Sequence, residues 1–305
     1  GIRGIAGKTL TNRVLSNHIQ AFSKIQEDGN ILLARDSRIH GNKFINESCH
    51  TLQECGRTIH NFNIIPTPTA QFLVDKQKFA GGIVITASHN PKEWNGLKFI
   101  DSDGCFLDYN KNMHLFEIAD NIILKEKTLG EIITINTGYA THVKHTLNLS
   151  AVNSKAIIKR NFNVVVDAVN GAASKALPAM LEALGCTVHR LHCNPDGQFP
   201  RGAEPLPQNL TILSDTVIAN NADIGFATDP DADRLAIVDN TGLPIGEEST
   251  LILALESYLK YYQNSQKIVT NLSTSMAIDV IAKKYNSTVE RSSVGEINVV
   301  EKMKT

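Results

Sequence analysis

The chain has no excess of charge of either sign. Its 30 Lys and Arg stand against 31 Asp and Glu, for a formal net charge of −1 over 305 residues. That balance gives no global electrostatic case for nucleic acid or an anionic membrane as partner, and no basic patch interleaved with aromatics supplies a local one. No apolar run approaches the roughly 20 residues that span a bilayer. There is no CxxC pair either. The five cysteines (Cys49, Cys55, Cys105, Cys186, Cys193) are an odd number, which reads as reduced packing thiols in a cytoplasmic protein. No leader is visible, but the chain opens on Gly1 rather than Met, so its natural N-terminus is expected upstream. What remains is an ordinary globular composition, 42% hydrophobic and 20% charged, long enough for two or more domains.

The stretch Gly82-Ile-Val-Ile-Thr-Ala-Ser88-His89-Asn90-Pro91 organises the rest. Ile83 to Ile85 predicts a buried strand. Small polar residues end it, and Pro91 bars its continuation in a sheet. A hydroxyl, an imidazole and an amide are thus delivered at the tip of a rigid element, with Lys98 shortly after. An ordinary strand-to-turn junction uses the same residue types.

Three segments share a plan. Asn30 to Ala34, Asn163 to Val166 and Ile268 to Thr270 are apolar, and each ends in polar residues before a helical pattern and a second strand. Ala176 to Leu184, closed by Gly185, is one such helix. Strand, helix, strand at this spacing implies α/β units with mixed or parallel sheets covered by helices. A polar stretch at Asn148 to Lys155 and a turn at Asp239 to Gly246 divide the chain into units 1–151, 152–245 and 246–305, the third incomplete. Neither joint is a low-complexity linker. Glu247 and Glu248 open the helix that begins the third unit, where the dipole favours acids.

Thr228-Asp229-Pro230-Asp231-Ala232-Asp233-Arg234 follows the apolar run Ala222 to Ala227. Carboxylates at alternate positions fall on one side of an extended segment. They repel unless a cation neutralises them, and a hard divalent ion with oxygen ligands does so best, Mg²⁺ where phosphate is also bound. A calcium EF-hand fails, because Arg234 holds the sixth position and Asn240 the twelfth. A solvated acidic turn fits poorly between two apolar runs. At the start of the chain, Gly1-Ile-Arg3-Gly4 sets one guanidinium among glycines, a fork that suits phosphate.

Thr86-Ala-Ser-His-Asn-Pro91 resembles the phosphoserine loop of the α-D-phosphohexomutases. Asp229-Pro-Asp-Ala-Asp-Arg234 resembles that family's metal loop, with Pro230 where Gly is common. Phe199 to Leu210 and Ser293 to Met303 look like its second- and third-domain segments, and Gly1 to Gly4 matches the tail of its N-terminal motif. The resemblance implies tandem three-layer α/β domains and an isomerase that moves phosphate reversibly between the 1- and 6-positions of a hexose. Ser88 would carry the phosphate, with a hexose 1,6-bisphosphate as intermediate and activator. Mg²⁺ would sit on Ser88, Asp229, Asp231 and Asp233. Arg3, His89, Lys98 and Arg234 would surround the transferring group, and Lys98 or Arg3 would help deprotonate the attacking hydroxyl.

The expected partner is a hexose phosphate, with glucosamine phosphate favoured and the glucose or mannose phosphates as alternative; oligomeric state is left open. An aspartyl-phosphate phosphatase built on Asp231, or a non-catalytic sugar-phosphate-binding fragment, stand further off. The family's sugar-recognition loop and fourth domain are expected beyond Thr305. These 305 residues alone should therefore show little mutase turnover when assayed beside a four-domain homologue.

Overall fold

The computed structural model describes residues 1–122 and 129–305. The first unit comprises β1 (Ile2–Ile5), α1 (Asn12–Ile25), β2 (Ile31–Arg35), α2 (Gly41–Glu54), β3 (Ile59–Ile64), α3 (Thr67–Gln77), β4 (Gly81–Ile85), β5 (Trp94–Asp101), α4 (Tyr109–Asp120), β6 (Ile132–Thr134) and α5 (Gly138–Leu147). Its sheet runs in the order β1-β5-β4-β2-β3-β6. β4, β2, β3 and β6 are parallel, while β5 pairs antiparallel with both β4 and β1.

Alternation explains why β2 reads as an unbroken apolar run. Ile31 and Leu33 point to a layer built from Phe22, Leu52 and Leu115 of α1, α2 and α4. Leu32 and Ala34 point to the opposite layer, with Leu73 and Val74 of α3. A strand buried on both faces has no polar face to show.

The second unit contains α6 (Ser154–Arg160), β7 (Asn163–Asp167), α7 (Ala173–Ala183), β8 (Thr187–Leu191), α8 (Thr211–Ala219), β9 (Ile224–Thr228) and β10 (Leu235–Asp239). Its sheet order is β10-β9-β7-β8, with only β10 antiparallel. Val165 faces Leu213 and Val217 of α8, and Val164 and Val166 face Leu181 of α7. The third unit holds α9 (Glu247–Tyr262), β11 (Lys267–Asn271), α10 (Ala277–Lys284), β12 (Thr288–Ser292) and α11 (Glu296–Met303), around the parallel pair β11-β12. All three are α/β units with helix-covered sheets. Helix α5 packs on both α3 and α7, at the joint between the first two.

Two sequence expectations change. The glycine-punctuated start is strand β1, whose edge is sealed by β5. A Cβ on Gly96 of β5 would lie 2.3 Å from the Ile2 carbonyl oxygen and 2.8 Å from that of Thr86, so this crossing requires glycine. The acidic triplet is not extended either. It is the loop that reverses the chain from β9 into antiparallel β10, with Ala232 at φ +60° and its N–H donating to the Asp229 carbonyl at 3.1 Å. The carboxylates converge because the chain turns.

No helix among the described residues is long and apolar enough to cross a membrane. Buried Arg57 closes the C-terminal end of α1. Its guanidinium donates to the Ser23 hydroxyl at 3.1 Å, to the Gln26 carbonyl at 2.8 Å, and to the carbonyls of Ser23, Glu27 and Gly29. Arg57→Met strands several of these acceptors and should cost on the order of 2–4 kcal/mol, read as a lower urea midpoint with unchanged slope.

Candidate active site

The site forms where the C-terminal ends of β4 and β9 meet. Ser88 lies just beyond β4, only 3% exposed, in the left-handed region at φ +50°. Its hydroxyl donates to Asp229 Oδ2 at 3.2 Å, a contact across the two units, and stands 3.4 Å from His89 Nδ1. The unusual backbone is held from below. Buried Arg38 donates to the carbonyls of Ser88 (2.6 Å), Asn90 (2.7 Å), Pro91 (2.6 Å) and Trp94 (3.0 Å). Asp36, wholly buried, orients Arg38 through Nε at 2.9 Å and accepts from the Thr86 hydroxyl at 2.6 Å, and Thr86 Oγ1 in turn accepts the Ser88 N–H. Bonds to both its carbonyl and its N–H, backed by the Asp36 network, thus fix a strained residue that would otherwise relax.

The acidic loop is held in the same way. Asp167, at the end of β7, pairs with buried Arg201 at 2.9 Å, and Arg201 donates to the Thr228 carbonyl at 2.6 Å. Asp229 and Asp231 are wholly buried and Asp233 partly exposed; one oxygen from each lies within 4.8 Å of the others. Lys98, on β5, sets its ammonium 2.6 Å from both Asp231 Oδ2 and Asp233 Oδ2. Thr67 Oγ1 also donates to Asp231 Oδ2, at 2.6 Å.

The electrostatics follow. Burial drives the Asp229 carboxyl well above the usual range, reinforced by Asp231 and Asp233. Burial pushes Asp231 the same way, but the Lys98 charge and hydrogen bonds outweigh it and the net direction is down. Burial works against the Lys98 ammonium, and the two carboxylates overcome it, so Lys98 is held above its ordinary value. Lys98 therefore occupies this site as a cation. Burial and nearby Arg234 lower His89, leaving it neutral at pH 7.

Arg3 donates to Asn90 Oδ1 at 3.2 Å. It shares with Lys98, Asp233 and Glu296 of α11 a cavity of about 600 Å³. Arg234 gives its backbone N–H to Asp229 Oδ1 at 3.1 Å, while its guanidinium pairs with Glu204 at 2.5 Å and not with Ser88. The third unit leans over this mouth through Gln71–Glu296 (3.1 Å) and Lys304–Asp103 (2.7 Å). The sequence reading passed over Asp36, Arg38, Asp167 and Arg201. For Asp36 and Asp167 the signal was an acid at the end of an apolar strand; Arg38 follows three residues past β2, and Arg201, ten residues past β8, carried none.

The residues suit a divalent cation. Asp231 Oδ1 is buried without a hydrogen-bond partner, and three carboxylates share one lysine, leaving net negative charge in a desolvated pocket.

Three α/β units that share one site at their strand ends are the architecture of a known family. The chain matches the models for phosphoglucomutase/phosphomannomutase alpha/beta/alpha domain I over residues 1–126, domain II over 137–242 and domain III over 246–305. A probable phosphoglucosamine mutase of Methanopyrus kandleri is 32% identical over 302 residues, covering 98% of this chain and 66% of that protein. A phosphoglucomutase/phosphomannomutase of Thermococcus kodakarensis is 33% identical, covering 98% and 67%. The solved phosphoglucomutase/phosphomannomutase family protein of Burkholderia thailandensis superimposes with a TM-score of 0.84 at 25% identity, covering 99% of this chain and 67% of that one. The chain belongs to the phosphoglucomutase/phosphomannomutase family, the α-D-phosphohexomutases. It spans about two thirds of the length of the curated relatives it matches.

If the acidic loop is the metal site, Mg²⁺ should raise the unfolding midpoint. At a hundredfold excess over Kd the gain is about 2.7 kcal/mol. Asp231→Asn should abolish the rise in a thermal melt taken with and without EDTA.

Proposed function

We propose that the protein is a phosphohexomutase that works through a phosphate carried on Ser88. The observation that carries this reading is the 3.2 Å contact of the Ser88 hydroxyl with Asp229, beside two further carboxylates and Lys98. In the first half-reaction, a hydroxyl oxygen of the hexose monophosphate attacks the phosphorus on Ser88. The new P–O bond forms as the Ser88 P–O bond breaks, and the hydroxyl's proton ends on the Ser88 oxygen. The product is a hexose 1,6-bisphosphate, whose other phosphate returns to Ser88 by the reverse chemistry after the sugar turns over.

The chain's own groups fit these tasks. The Arg38 clamp fixes the backbone that carries the Ser88 side chain, so little reorganisation is needed at transfer. Arg3 and Lys98 line the cavity from which the sugar approaches and offset phosphoryl charge. Neutral His89 can hydrogen-bond the transferring group. Arg234 reaches it on releasing Glu204. Asp229, Asp231 and Asp233, with an oxygen on Ser88, would hold Mg²⁺, which when bound neutralises and orients the phosphoryl oxygens.

Glucosamine phosphate is the substrate we favour, because relatives named phosphoglucosamine mutase recur among the similar proteins. The Thermococcus kodakarensis relative supports glucose and mannose phosphates as the second reading. The unit limits 1–151, 152–245 and 246–305 remain our division, with α5 as joint. A cytoplasmic setting is part of this reading, from five cysteines, an odd number without a CxxC pair.

The test is phosphopeptide mapping after incubation with Mg²⁺ and glucose 1,6-bisphosphate. Phosphate should appear on the Ser88 peptide, survive hydroxylamine and vanish in Ser88→Ala. Hydroxylamine-labile phosphate on the Asp229–Asp233 peptide would replace this reading with the aspartyl-phosphate one.

A further inference from the structure

A second cavity, of about 350 Å³, lies between the first and second units, and none of the residues just assigned to phosphate transfer lines it. Its wall is cationic. Arg35, at the end of β2, and Lys175, in the first turn of α7, both line it, and no acidic residue does. Asn42, Asn63 and Tyr139 add amides and a hydroxyl.

Neither cation forms an ion pair among the described residues, and the Asp36 carboxylate beside Arg35 is already held by Arg38 and Thr86. Arg35 is only 8% exposed and its Nε has no hydrogen-bond partner. Its other contacts are neutral: the Asp36 carbonyl at 3.0 Å and Asn42 Oδ1 at 2.6 Å. Lys175 makes no hydrogen bond or ion pair among the described residues. A guanidinium removed from water without an ion-pair partner is unfavourable, and burial outweighs the neighbouring Asp36 charge and lowers its proton affinity. The chain nonetheless keeps space for it. A Cβ on Gly41 would lie 2.9 Å from Arg35 Nη1 and 3.0 Å from its Cδ. The start of α7, an 11-residue helix whose N-cap Ala172 has no side-chain acceptor, adds its dipole to the same wall.

We propose that this cavity is a binding site for a small phosphate-bearing anion, separate from the Ser88 centre. Two cations, a helix start and neutral amides match a phosphate dianion, and the volume lies within the range of small-ligand pockets. The location gives an occupant two levers. Arg35 is bonded to Asp36, whose carboxylate holds Thr86 and Arg38 beneath Ser88. On the other wall, the Ala172 N–H donates to the Pro230 carbonyl at 2.7 Å, and a Cβ on Gly171 would meet that oxygen at 2.6 Å. An anion between them touches the supports of both loops and ties the carrier serine to the acidic turn. The site does not depend on the mutase reading.

The experiment is a calorimetric titration of the 305-residue chain with inorganic phosphate, at ionic strength matched with sodium chloride. Saturable binding is expected. Lys175→Met should weaken it about tenfold or more, Lys175→Arg should restore it, and Lys155→Met, on exposed α6 away from both cavities, should leave it unchanged. Lys175 is exposed, so its replacement leaves the fold intact; Arg35→Met, checked by circular dichroism, is the second variant. Repeating the titration with glucose 6-phosphate, with and without Lys175→Met, separates the sources: a Lys175-dependent component tighter than that for phosphate identifies an ester as ligand, and an equal or weaker one identifies the free ion. No saturable binding, or binding that Lys175→Met leaves unchanged, overturns the proposal.

Discussion

One ammonium group holds this structure's chemistry together. Lys98 comes from an antiparallel strand of the first sheet and sits between two carboxylates of the second. Without it, two buried acids and a more exposed third would meet, and each would raise the cost of ionising the others. With it, Asp231 is ionised and the two units are fastened at the ends of their sheets. The Thr67 hydroxyl and N–H, both given to Asp231, complete the seam. A divalent ion entering here would compete with a resident lysine, and the site is charged and shaped before any ligand arrives.

Beneath this seam the two halves use one device twice. A buried aspartate directly after a parallel strand orients a buried arginine, and that arginine holds the carbonyls of the neighbouring catalytic loop. Asp36 and Arg38 do this for Ser88, and Asp167 and Arg201 for the acidic turn. Arg38 also stacks over Phe199 of the second unit at 5.0 Å. The first clamp is thereby packed against the unit that carries the acidic loop, which makes the separation of the two loops a property of the whole interface.

Much of this was legible in the chain. Strands buried on both faces announce themselves as short apolar runs, and Ile31 to Leu33, Val164 to Val166 and Ile83 to Ile85 all did. The acidic loop was visible because three carboxylates between two apolar runs need a reason. Its geometry was not, since alternate positions share a side only in an extended chain and this segment turns. Arg38 and Arg201 escaped for a different reason. A single sequence shows that a side chain is charged, but not whether it faces water or the carbonyls of a loop 27 or 50 residues away. β1 and β5 were obscured by glycine, asparagine and charge, which mark turns unless a neighbouring strand supplies the pairing.

The left-handed backbone of Ser88 bears on how such a protein drifts over evolutionary time. A serine at φ +50° is under tension that glycine at the same position would not feel. If Ser88 is the carrier proposed above, replacing it by glycine would relieve that tension while removing the hydroxyl bond to Asp229, so the fold would lose little and the transfer chemistry would be lost. Selection for stability would then protect this position only weakly.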